Sequence, residues 1–375
     1  MSQLQMVDLI GQYRQMQQEI DEAVLRVLRS AQFIGGPEVK AFQEELAQYN
    51  ETAHVIPCAN GTDALQIAMM ALRLQPGDEV IVPSFTYVAT AEVIALLGLK
   101  PVMVDVQPDD FNINVAQIEP ALTPRTRAIV PVHLFGQSAD MEPILEIARR
   151  HNLYVIEDNA QAIGATYVFS NGSKHRTGAM GHVGCTSFFP SKNLGGYGDG
   201  GAMMCNDALI ADNLRMVANH GQSRQYYHDV VGVNSRLDAL QAAILRVKLR
   251  RLETYNAARR QAADYYDAAF AEVAELQTPA RFGQSTHVFH QYTLKVMDGR
   301  RDQLREFLAA RQIPAMIYYP VPLYKQKAFE SYWKGGELPV TEDLSRQVIS
   351  LPMHTELTPA IQDQIIEAVK DFFRA

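Results

Sequence analysis

Cysteine is scarce: Cys58, Cys185 and Cys205 are all the chain has, and they share no spacing used by zinc sites or dithiol redox centres. An odd count, with no secretory leader in the opening residues, argues against a disulfide framework and for a reducing compartment, so a cytoplasmic location is expected. The longest apolar runs, such as Val80–Pro83 and Val93–Leu97, fall far short of the ~20 residues a membrane-crossing helix needs. No block of like charges stands out either. Lys and Arg total 34 against 42 acids, a formal charge of −8, which leaves no electrostatic footprint for nucleic acid. An anionic ligand must be met by local basic groups and backbone amides. Internal repeats and low-complexity segments are also missing. The Asn-x-Ser/Thr triplets at Asn50, Asn60 and Asn171 carry no meaning without a secretory signal.

What remains is an ordinary globular composition, 47% apolar over 375 residues, enough for two domains. Short β-rich runs at His54–Pro57, Glu79–Pro83, Pro101–Val106, Ala128–His133, Leu153–Glu157, Val183–Phe189 and Gly201–Cys205 alternate with helical patterns near Asp63–Leu72, Val88–Leu97, Ala116–Leu122 and Met141–Arg150. This alternation predicts an α/β fold, a mostly parallel sheet covered by helices on both faces. Gly35-Gly36-Pro37 divides a helical opening segment. After Cys205 the pattern changes. Leu237, Leu240, Ile244 and Val247 mark one face of a long helix, which Leu249 and Leu252 extend toward Phe270. A strand near Gln291–Val296, a helix near Arg301–Arg311, a strand near Pro314–Tyr318 and a helix near Pro359–Phe373 follow. The division expected is a large domain over 1–245 and a smaller α+β domain over 246–375.

Three clusters fall just beyond strand ends, where open α/β sheets bind ligands. Asn60-Gly61-Thr62-Asp63 opens a helix, and its free amides and hydroxyl make a phosphate cradle; as a bare turn and cap it would need no ligand. Glu157-Asp158-Asn159-Ala160-Gln161 ends an apolar strand and delivers a carboxylate to the crevice, or simply a helix cap. Ser187-Phe188-Phe189-Pro190-Ser191-Lys192 places a lysine beside a glycine-rich run, where burial depresses an amine's pKa and makes it a Schiff-base candidate. Gly196, Gly198 and Gly201 also satisfy G-x-G-x-x-G, but that fingerprint must open a helix. Here it runs into Ala202-Met203-Met204-Cys205, a strand, so dinucleotide binding is rejected. His287 and His290 have a metal-like spacing without further ligands nearby and read as structural.

Together the clusters match the needs of pyridoxal 5′-phosphate (PLP): a lysine to hold the aldehyde as an imine, an acid to keep the pyridine nitrogen protonated, and a helix end for the phosphate. The whole chain resembles the sugar-nucleotide aminotransferases of the DegT–StrS family, within the PLP-dependent transferase type I fold. The resemblance rests on Asn60-Gly61-Thr62-Asp63-Ala64-Leu65, Phe85-Thr86-Tyr87-Val88-Ala89-Thr90, Pro131-Val132-His133-Leu134-Phe135-Gly136-Gln137 and Ser187–Gly201. Within the family, Phe188–Lys192 and Val231–Asp238 point to enzymes aminating C3 of a UDP-linked 3-keto-2-acetamido hexuronic acid for bacterial O-antigen.

That resemblance implies Lys192 and Asp158 as catalytic residues. It places Gln161 near the cofactor's phenolic oxygen and Tyr87 on its ring. Gly61, Thr62 and Ser187 hold the phosphate, joined by Asn234 from the partner of a homodimer. Arg236, Tyr318 and Tyr319 face the sugar; many relatives carry His where this chain has Tyr318. L-Glutamate is the expected donor, and no metal is expected. Two rival readings are an aminotransferase for another dTDP- or UDP-linked keto 6-deoxy sugar, and a non-catalytic ligand-sensing protein on the same fold.

Overall fold

The computed structural model describes residues 4–374. Its centre is a sheet of seven strands: β1 (His54–Cys58), β2 (Glu79–Pro83), β3 (Lys100–Val104), β4 (Thr126–Ile129), β5 (Tyr154–Asp158), β6 (Val183–Ser187) and β7 (Gly201–Cys205), in the order β1-β7-β6-β5-β4-β2-β3. β7 alone runs against its neighbours; the remaining pairings are parallel. The mixed, mostly parallel sheet expected from the sequence is present. Alternation within the strands feeds two cores. Val80 and Val82 pack under the helices Gly61–Ala71, Ala89–Leu96 and Ala208–Ala218, while Ile81 faces Met141–His151 on the other side. Every residue of β2 and β7 is buried, which is why Val80–Pro83 and β7 read as unbroken apolar runs.

A second, antiparallel sheet of β8 (Leu276–Gln277), β9 (Tyr292–Val296) and β10 (Val348–Leu351) packs with helices Leu252–Phe270, Arg301–Ala310 and Pro359–Arg374 around a core of its own. The 245/246 division falls inside helix Ala239–Leu249. Leu245, Leu249 and Leu252 still pack with the large sheet, and the smaller core begins at Ala262. At the other end of the chain Leu4 packs on the smaller core, and Met353 N donates to Met6 O at 3.2 Å.

Three local expectations are corrected. Residues 116–122 form two short 3₁₀ turns, Val115–Gln117 and Glu119–Ala121, instead of a helix; Pro120 has no N–H to donate. The long helix breaks between Leu249 and Leu252, where the chain leaves the large sheet for the smaller core. No strand forms at Pro314–Tyr318. Met316 makes a single bridge to Ser350 of β10, a strand the sequence did not announce.

Candidate active site

The crevice beyond the strand ends opens into a cavity of about 910 Å³. Gly61, Thr62, Tyr87, Asp158, Gln161, Ser187, Lys192, Tyr318 and Tyr319 all line it, so nine side chains and backbones singled out from sequence converge on one space. Asn234 and Arg236 do not. Both are exposed, away from this chain's own cavity, with the Arg236 guanidinium donating to Asn234 Oδ1 and, at 3.0 Å, to Asn219 Oδ1.

The N-terminus of helix Gly61–Ala71 forms one end of the cavity. Asn60 caps it, its Oδ1 accepting from Asp63 N at 2.8 Å, which leaves the amides of Gly61 and Thr62 available to an anion. Gly61 packs against Ser187 at the end of β6. Gly201, at the start of β7, lies so near Asn60 that a Cβ would come within 2.4 Å of its carbonyl oxygen. This close packing explains glycine at both positions. The G-x-G-x-x-G match leads into β7, as its sequence context required.

The acid pair at the end of β5 is divided by the strand's own alternation. Asp158 points into the cavity, where Oδ2 accepts from Thr90 Oγ1 at 2.7 Å and Oδ1 from Ala160 N at 3.1 Å. Glu157 points the other way and is fully buried. It accepts from the amides of Gly178, Met180 and Gly181 at 2.6–2.7 Å and from His133 Nε2 at 2.9 Å. Because His133 Nδ1 accepts from Ala139 N, the ring proton sits on Nε2. Glu157 is therefore a structural anchor, and Asp158 is the acid free to meet a ligand.

Lys192 reaches the cavity floor. Its side chain is partly accessible from the cavity yet closely walled by protein, and this enclosure lowers its pKa to about 8, against an opposing pull from Asp158. An amine so placed exchanges its proton near neutral pH, as a nucleophile and base requires. Opposite it, Tyr319 stacks near Phe135 with ring centroids 6.5 Å apart and accepts from Gln161 Nε2 at 3.2 Å. Gln161 Oε1 accepts from Phe135 N at 2.7 Å. The Gln161 amide is thus held across the cavity by two elements. Tyr87 stands at the mouth, 57% exposed.

Two residues with no expected role at the site belong to it. Thr90, the last residue of the Phe85–Thr90 motif, orients Asp158 from a distant part of the chain. His290, expected to be structural, lines the cavity near Lys192. Burial, with Lys192 and Arg259 nearby, pushes its pKa well down, and its Nδ1 is buried without a hydrogen-bond partner among the described residues. The His287/His290 spacing supports no metal site: among the described residues no cluster of potential ligands occurs, and His287 lies stacked on Phe289 at 3.8 Å.

The profile of the DegT/DnrJ/EryC1/StrS aminotransferase family matches residues 14–370. Over 372 residues the chain is 46% identical to a "pleiotropic regulatory protein" of Geobacillus stearothermophilus, covering 98% of both chains. It is 47% identical to the UDP-2-acetamido-2-deoxy-3-oxo-D-glucuronate aminotransferase of Pseudomonas aeruginosa, over 95% of this chain and 97% of that one. Its structure superposes on DesV of S. venezuelae, solved in complex with a ketimine intermediate, with a TM-score of 0.95 at 40% identity and complete coverage of both chains. The chain belongs to the DegT/DnrJ/EryC1/StrS aminotransferase family, whose members are PLP-dependent. The residues present fit that cofactor. The Asn60 cap leaves helix amides that would suit the phosphate, the oriented Asp158 carboxylate would suit the ring nitrogen, and the enclosed Lys192 amine, with its lowered pKa, would suit the aldehyde.

Proposed function

We propose that this protein transfers the amino group of L-glutamate to C3 of a UDP-linked 3-keto-2-acetamido hexuronic acid, in the cytoplasm, for bacterial O-antigen lipopolysaccharide. The observation that carries the reading is the convergence of Lys192, Asp158 and the Gly61 helix end on one cavity. The substrate assignment draws support from the 47% identity to the Pseudomonas enzyme. When bound, PLP supplies the electron sink and carries the amino group between donor and acceptor. The chain's own residues do the rest. The amides of Gly61 and Thr62, with Ser187, would hold the phosphate; Asp158, fixed by Thr90, would keep a negative charge against the ring nitrogen; Lys192 would serve as the base that accepts and returns a proton. Tyr87 would lie on the ring, and Tyr318 and Tyr319 would face the sugar.

A shared site in a homodimer completes this picture. Asn234 and Arg236 lie on an exposed surface and reach the neighbour's cavity, Asn234 toward the phosphate and Arg236 toward the sugar carboxylate, which a guanidinium meets bidentately. One observation favours a neutral 6-deoxy sugar instead: among the described residues no arginine lines the cavity of the single chain. The experiment is to incubate purified protein with L-glutamate and, in parallel, UDP-linked 3-keto hexuronic acid and dTDP-linked 3-keto 6-deoxy sugar, detecting 2-oxoglutarate and amino sugar by mass spectrometry. Turnover of the first only supports the proposal. Turnover of the second only transfers the assignment to the neutral sugar, and no turnover of any keto sugar leaves a ligand-sensing role.

A further inference from the structure

The glycine-rich run after Lys192 lies along helix Ala239–Leu249, and two side chains of that helix meet it. Gln241 Oε1 accepts from Tyr197 N at 2.8 Å. A Cβ on Gly196 would lie 2.7 Å from the same Oε1, and one on Gly198 2.9 Å from Gln241 Nε2, so the Gln241 amide occupies the room those residues lack. Two turns along the same face, Lys248 is fully buried with its Nζ 5.1 Å from the centroid of the Tyr197 ring. Among the described residues no hydrogen-bond acceptor meets that ammonium. Burial lowers its pKa to about 7, with Arg259 acting in the same direction. In its protonated form the amine is attracted by the ring's quadrupole, and in either form the buried side chain packs against Tyr197. Tyr13 closes on the same ring edge-on, at 6.1 Å.

The loop is also tied at its base and beside Lys192, where Asn193 Nδ2 donates to Asn256 Oδ1 at 2.7 Å and to Val288 O at 2.9 Å and Leu194 is buried in the core. Lys192 N donates to Phe189 O at 2.9 Å, Gly196 N to Phe188 O at 2.8 Å, and Phe188 N to Gly200 O at 2.7 Å. Past these anchors the run is rich in glycine, and Tyr197 is the one large side chain within Gly195–Gly201.

We propose that Gln241 and Lys248 are positioning residues, a two-point clamp on the backbone and ring of Tyr197 that fixes the loop carrying Lys192 and so sets how its amine meets the cofactor's aldehyde. The inference rests on the reading of Lys192 as that amine. It separates two properties of the site. Phosphate and ring binding belong to the Gly61 helix and Asp158, which the clamp does not touch; covalent capture belongs to Lys192.

The test uses full-length apo-protein as wild type, Gln241→Leu, Gln241→Glu and Lys248→Met. Capture of PLP is followed by borohydride trapping at timed intervals, with the modified lysine identified by peptide mass spectrometry. Affinity for pyridoxamine 5′-phosphate, which has no aldehyde to capture, is measured by calorimetry. In Gln241→Leu and Lys248→Met, capture on Lys192 slows about tenfold while pyridoxamine 5′-phosphate affinity stays within about twofold, as expected when only orientation is lost. Gln241→Glu keeps an acceptor for Tyr197 N–H and recovers most of the rate. If Gln241→Leu does not fold, Lys248→Met, which replaces the buried amine with an apolar chain of similar length, decides the question alone. Unchanged capture overturns the clamp, as does a parallel fall of capture and affinity, which marks a merely structural role. Trapping of the wild type on another lysine overturns the reading of the site itself, and the clamp with it.

Discussion

A β-carbon on Gly61 would lie 2.7 Å from the β-carbon of Ser187 and 3.3 Å from its Cα. The helix and the strand that flank the phosphate end of the cavity therefore touch where only a hydrogen atom fits. Because Ser187 Cα is backbone, an added methyl cannot be absorbed by a side-chain turn.

Gly61→Ala is expected to push the helix end away from β6. Overpacking of this kind costs ~1–3 kcal/mol of stability, and the displaced amides should weaken pyridoxamine 5′-phosphate binding by about tenfold or more, the loss of roughly one charge-assisted hydrogen bond. Calorimetric binding and thermal melts of the apo-protein measure both. Unaltered affinity would place the phosphate elsewhere.

Lys192→Ala should abolish turnover while the protein still folds and holds the cofactor weakly, since the phosphate and ring contacts do not use the lysine. Asp158→Asn keeps the shape of the site and removes its charge, so kcat should fall by ~10²–10³, the scale of one electrostatic contact at a reacting centre. Steady-state assays with glutamate separate the two, and near-wild-type rates in either variant would remove that residue from the mechanism.

Stability of the apo-protein should carry the signature of the Lys192 amine. Its pKa is about 8 in the folded chain against 10.5 for an ordinary lysine. Between those values the unfolded state binds more protons, so stability rises with pH across that window. Below pH 8 both states are charged and the folded protein bears the whole cost of enclosing the ammonium. Urea melts of wild type and Lys192→Met at several pH values isolate this contribution, because the Lys248 amine titrates in both proteins. A difference between the two that stays flat from pH 8 to 10.5 contradicts the enclosed, depressed amine.

Glu157→Gln places an amide where four donors converge. One of its two positions must then present N–H to N–H. Breaking a buried charged network typically costs ~3–5 kcal/mol, so the denaturation midpoint should drop sharply even though Glu157 faces away from the cavity. A loss below ~1 kcal/mol would show that the Gly178–Gly181 turn is held by other contacts.

Mixing Lys192→Ala with Asn234→Asp tests the proposed sharing of sites. If Asn234 serves the neighbour, a mixed dimer has one site with both lesions and one with neither, and activity returns. Persistent inactivity in mixtures shown to contain mixed dimers assigns Asn234 to its own subunit.

Much of this was legible in the sequence. All seven strands of the large sheet announce themselves because each is a short apolar run with a helix pattern or a glycine turn beside it. Lys192, Asp158 and Gly61 stand out because each lies at a strand end or a few residues beyond one, and strand ends define the crevice. What was not legible depends on contacts between distant segments. Thr90 matters only through Asp158, reached across the fold. β10 hides in a run that could equally be a loop until β9 lies beside it. The break after Leu249 reflects a change in which core the chain is packing against, and its local sequence, with Leu249 and Leu252 in helical phase, does not record that change.

The contact of Leu4 and Met6 with the smaller core, and the hydrogen bond from Gln15 to Glu356 across 341 residues, bear on the order in which the molecule is assembled as it is synthesised. Met6 and Gln15 gain these partners only when residues beyond 350 are in place, whereas Met16, Ile20, Ala23 and Val27 pack on the nearer stretch from Ala239 to Tyr255. Closing the longer loop brings no local contacts on the way, so the seating of Leu4 and Met6 is expected to come late in folding.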